Sequence, residues 1–105
     1  MNTNKLLSIA KAMGLDASPT IENQYGVILK NPTSQITEFN PKKYDSQFRQ
    51  VLEWLLTLGN FVAFNKLFTT LEMFDTKKIF YAHESNLANN ILSIAYQVSE
   101  VLNNE

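Results

Sequence analysis

A chain of 105 residues that is 45% apolar, 18% charged and carries a net charge of −1 has material for one small hydrophobic core and is too apolar for a disordered chain. It contains no cysteine, which excludes disulfides, thiolate metal sites and cysteine nucleophiles. The charge balance and the lack of a basic stripe argue against nucleic acid as a partner, and no apolar run reaches the ~18 residues of a membrane span.

The opening MNTNKLLSIAKAMG places one lysine before an apolar segment broken by Ser8 and Lys11. That is an amphipathic helix rather than a signal peptide, and the expectation is a soluble, cytoplasmic protein with a single domain over residues 1–105. Thr3 or Asn4 is the expected cap. Leu6, Ile9, Ala10 and Met13 form the helix stripe, and Gly14 ends it with Leu15 folding back. LDASPTIEN, residues 15–23, reads as a polar connection around Pro19. Tyr25, Val27 and Leu29 then alternate with Gly26, Ile28 and Lys30, NPTS at 31–34 is a turn signal, and Ile36 to Phe39 is the return strand of a hairpin closed by Asn40-Pro41.

A second helix follows, with Tyr44, Phe48, Val51, Leu52 and Leu55 on one stripe, Asp45 in the first turn and Gly59 at the end. From Asn60 the period drops to two. Strands are expected near 61–65, 67–74 and 78–83, the first two being either separate or one bent strand, the last two joined by Asp75-Thr76-Lys77. Within this stretch Leu67, Leu71 and Met73 are expected on one face, and Phe64, Phe68 and Phe74 on the other. Ser85 is the expected cap of a final helix whose stripe is Leu87, Ile91, Ile94, Val98, Val101 and Leu102.

The pattern predicts an α+β fold in the order αββαβββα: a small three-layer α/β/α sandwich on a mainly antiparallel sheet. A strand with two apolar faces needs a layer on each side. The second and third helices are wide enough for one face. The first helix is short, so the other face is left to it in part, or to another chain.

Three side chains fall off the core stripes. Trp54 sits to one side of the stripe of its helix, and Leu92 and Tyr96 stack one turn apart, nearly opposite theirs. Each reads either as packed between neighbouring elements or as a protein-binding patch. Chemistry is sparse. His83 is the only histidine, next to Glu84 on the opposite face of a strand. The carboxylates are scattered, and three glycines make no phosphate loop. No catalytic residue, metal site or cofactor is expected. The candidate anion site is NPKKYDS at 40–46, where Lys42 and Lys43 stand at a helix entrance.

KLLSIAKAMGL (5–15), ITEFNPKKYDSQFRQVLEWLLTLG (36–59) and ESNLANNILSIAYQVSEVL (84–102) together resemble small bacteriophage and prophage proteins of the "ABA sandwich" type. The shared features are Met13-Gly14, Phe39-Asn40-Pro41, Gly59 and Ala88/Ala95, with Leu15 where such proteins often carry tryptophan. The resemblance implies an α/β/α sandwich and a phage origin, and brings no catalytic residues. The functional expectation is a non-enzymatic phage accessory protein that binds a host or phage protein, such as an inhibitor of a host defence component. The alternative is a protein that binds or sequesters a small, nucleotide-like ligand. A homodimer fits either.

Overall fold

The computed structural model describes residues 2–19, 26–32, 34–84 and 86–105. Helix α1 (Thr3–Ala12) is capped by Asn2, whose Oδ1 accepts from the Lys5 N–H at 2.9 Å. The cap therefore lies one residue ahead of Thr3. Thr3 has a different task, its hydroxyl accepting from the Gly26 N–H at 2.9 Å. At the other end Gly14 takes φ +82°. Its N–H bonds to the Lys11 carbonyl and that of Leu15 to the Ala10 carbonyl, which satisfies two carbonyls the last turn would leave free.

The connection around Pro19 contains a strand that its polar composition hid. β1 (Ala17–Pro19) pairs antiparallel with β2 (Val27–Leu29), Ala17 opposite Leu29. Pro19 sits at the end of an edge strand, where a missing N–H is tolerated. The return strand expected at 36–39 shrinks to one bridge, Ile28 to Glu38. Gln47, buried on α2 (Asp45–Leu58), holds the other edge of this segment. Its Nε2 donates to the Glu38 carbonyl and its Oε1 accepts from the Asn40 N–H, both at 2.6 Å. Both groups point away from β2, whose own bonds to the segment run from the Leu29 N–H to the Thr37 carbonyl at 2.6 Å and from the Phe39 N–H to the Val27 carbonyl at 2.7 Å. Tyr25, which began the expected hairpin, and Ser85, the expected cap of the last helix, lie outside the described residues.

Helix α2 runs into β3 (Gly59–Phe64) with no loop between them. Gly59 is both helix cap and first strand residue, in extended conformation. A Cβ at Gly59 would collide with the Glu72 backbone carbonyl across the sheet. β3 pairs with β4 (Thr69–Met73), and β4 with β5 (Ile79–Ala82), giving an antiparallel sheet in the order β3-β4-β5. The aromatic-rich stretch is thus a hairpin of two strands. Its turn is held by Asn65 Oδ1, which accepts from the N–H groups of Leu67 (2.9 Å) and Phe68 (3.0 Å). This takes Leu67 out of the strand and into solvent.

Helix α3 (Leu87–Asn103) is capped by Asn86, whose Oδ1 accepts from the Asn89 N–H at 2.8 Å. It lies against β4 and β5 on one side and α1 on another, while α2 packs on β3 and α3. The class and element order are those expected, an α+β sandwich in the order αββαβββα. The place of α1 differs: it packs on α3, β1 and β2. Small hydroxyls permit that approach, with Ser8 Oγ and Ser99 Oγ 2.8 Å apart and Asn103 Nδ2 donating to the Ser8 carbonyl at 3.0 Å. One core joins Leu6 and Ile9 of α1, Val27, Phe39, Val51 and Leu55, Leu71 and Phe80 of the sheet, and Ile91, Ile94 and Val98 of α3.

Candidate functional site

The helices cover one face of the β3-β4-β5 sheet. On it Leu71, Met73, Phe80 and Ala82 are buried. The register puts the alternate residues on the opposite face: Asn60, Glu72 and Ile79 in one row, Ala63, Thr70 and Tyr81 in the next. No described element packs there. Val62 is 68% exposed, Ile79 58% and Tyr81 54%. The Phe68 ring stacks on Tyr81 with centroids 6.1 Å apart, extending the apolar surface to the end of the sheet, and Phe74 is exposed beyond the other end.

A β-bulge between Phe61 and Ala63 shapes this surface. The extra residue turns Val62 outward and returns Phe64 to the side of Phe61, where the two rings meet edge to face at 5.0 Å. Phe68 and Phe74 are therefore opposite Leu71 and Met73 as the alternation predicts, whereas Phe64 is not. Val62, Phe68, Ile79 and Tyr81 are exposed on this face, with Leu67 and Phe74 exposed at its two ends, more apolar surface than singly scattered side chains present. Glu72 stands half-buried in the central strand among them. Among the described residues its carboxylate has neither an ion pair nor a hydrogen bond; the ion pair within 4.0 Å is that of Lys43 with Glu38.

The residues singled out from the sequence are distributed differently. Leu92 is 1% exposed, because α1 covers the side of α3 that helical spacing had left polar; it is no surface residue. Tyr96 is half-buried, with the Lys5 ammonium 5.1 Å above its ring. Trp54 is partly buried against the core. Lys43 turns to Glu38 at 4.0 Å and to the Tyr44 ring at 5.3 Å. Lys42 parts from it and lines a cleft of about 220 Å³ with Lys5, Glu84, Asn89, Leu92, Ser93 and Tyr96. One cleft thus collects Lys42, Leu92 and Tyr96, which spacing had assigned to two separate sites.

His83 is exposed at the end of β5. Among the described residues no group of three or more His, Asp or Glu is placed to hold a metal ion, and no helix is long and apolar enough to cross a membrane. The residues that spacing missed are Val62, Ile79 and Tyr81. Their signal was present, since all four residues of Ile79-Phe80-Tyr81-Ala82 are apolar or aromatic, but it reads equally as a strand buried on both faces.

No family model matches this chain, and comparisons with curated proteins and with solved structures find no similar protein.

Proposed function

We propose that the protein acts by binding another protein through the outer face of the β3-β4-β5 sheet. The observation that carries this reading is the exposed apolar surface of Val62, Phe68, Ile79 and Tyr81 around Glu72, which has no ion pair among the described residues. Water contact with so much apolar surface is unfavourable, and a partner removes it. Glu72 selects the partner's chemistry. A carboxylate covered without a counter-charge costs several kcal/mol, so the matching surface is apolar with a lysine or arginine set against Glu72. A second copy packed face to face would bring a second Glu72 to the same place, which like charges disfavour. The resemblance to phage sandwich proteins supplies the setting, an accessory factor that occupies a host protein such as a defence component.

The test compares variants on one captured partner. Wild-type protein and Trp54→Ala are expected to retain it, Ile79→Lys to lose it, and Glu72→Lys to weaken it at least tenfold. A partner bound equally by wild type and Ile79→Lys overturns the assignment of the face. A wild-type dimer that Ile79→Lys dissociates transfers the face to a second copy.

A further inference from the structure

We infer that the cleft between α1 and α3 binds a small phosphate-type anion through Lys5, Lys42 and Ser93. The two lysines come from distant parts of the chain, the first turn of α1 and the turn before α2, and reach one cavity of about 220 Å³. Among the described residues no carboxylate lies within 4.0 Å of either ammonium, the ion pair at that distance being Lys43 with Glu38. Two like charges facing one cavity repel, and an anion between them removes the repulsion. Lys5 is restrained by the Tyr96 ring beneath its ammonium, at 5.1 Å, which orders the charge without neutralising it. Ser93 Oγ accepts from Gln97 Nε2 at 3.4 Å, so its hydroxyl proton is left for an acceptor in the cleft.

Charge and size set the ligand class. Among the described residues the charged groups lining the cavity are Lys5, Lys42 and Glu84, two cations that Glu84 moderates. The cleft, of about 220 Å³, has room for a phosphate or the head of a phosphate monoester. Lys43, the other member of the lysine pair, takes no part.

The experiment is a titration of isotope-labelled protein with inorganic phosphate, followed by NMR at constant ionic strength, and repeated with adenosine monophosphate. Saturable shifts centred on Lys5, Lys42, Ser93 and Tyr96 are expected. Lys5→Ala and Lys42→Ala should each weaken binding about threefold, as partly screened charges do. Glu84→Gln should tighten it, and Lys42→Arg should preserve both fold and binding. Tighter binding of the monophosphate than of phosphate identifies an ester as the ligand, and equal binding identifies the free ion. Absence of saturable shifts, or an effect of Lys43→Ala equal to that of Lys42→Ala, overturns the proposal.

Discussion

Two residues carry backbone work that no substitute performs as well. Gly59 lets α2 pass directly into β3 while the Glu72 carbonyl lies where a Cβ would be. Gly59→Ala must push β3 from β4, and overpacking of this kind costs about 1–3 kcal/mol; a fall in the urea midpoint at unchanged slope is the expected readout. Asn90 is fully buried. Its Oδ1 accepts from the Glu84 N–H at 2.5 Å, and its Nδ2 donates to the Asn65 carbonyl at 3.3 Å, so one side chain joins the start of α3 to the β3–β4 turn. Asn90→Ala leaves the Glu84 N–H without this partner and takes one of its donors from the Asn65 carbonyl, and a loss of about 2–3 kcal/mol in denaturant unfolding is expected. Because the Asn65 carbonyl also accepts from the Thr69 hydroxyl at 3.2 Å, amide exchange should accelerate more at Glu84 than in the turn.

Among the elements, α1 owes its position to its ends and to Ser8. The Asn2 side chain and Gly14 set where the helix starts and stops, and the contact of Ser8 with Ser99 sets how close it comes to α3. Asn2→Ala should cost about 1 kcal/mol as the loss of a cap, whereas Asn4→Ala, at an exposed position that caps nothing, should stay within about 0.5 kcal/mol. Thermal unfolding of the two variants side by side checks the cap assignment. The segment 36–39 shows the reverse dependence. It has the alternation of a strand, and its backbone is held by β2 on one edge and by Gln47 of the following helix on the other. Gln47→Leu frees the Glu38 carbonyl and the Asn40 N–H and should destabilise by about 2 kcal/mol in spite of the added apolar side chain.

On the scale of the whole molecule, the division of apolar surface is uneven. α3 is buried on two sides, against α1 and against β4 and β5, while the sheet is covered by the described elements on one face only. The outer face contributes little to the stability of the chain itself. Ile79→Lys, at a position 58% exposed, should therefore leave the melting temperature nearly unchanged while abolishing partner binding. A core residue such as Leu71, fully buried, should lose about 2–5 kcal/mol on truncation to alanine. On the proposed reading, Glu72 also restrains self-association. Glu72→Val removes the charge from the outer face of the central strand between Thr70 and Phe74, and sedimentation velocity is expected to show larger species for that variant than for wild type at equal concentration.

Periodicity and end signals are local, and they determined the three helices, β2, the three strands after α2 and the stripe residues Leu6, Ile9, Val51, Leu55, Ile91, Ile94 and Val98, but not β1. Each depends on residues within a turn or two of its neighbours, so the chain announces it without knowledge of the fold. Only the tertiary structure decided which surfaces meet. Leu92 lies on what spacing makes the polar side of its helix, and it is buried because α1 crosses there. Lys42 and Lys43 are adjacent in sequence and are drawn apart, one by Glu38 and the other toward a cleft completed by Lys5. Val62, Ile79 and Tyr81 carry the same alternation as strand residues covered on both sides. What separates them is that α1 packs on α3 rather than on the sheet, and a helix's choice of neighbour is settled by the shape and area of both surfaces, which no single segment contains.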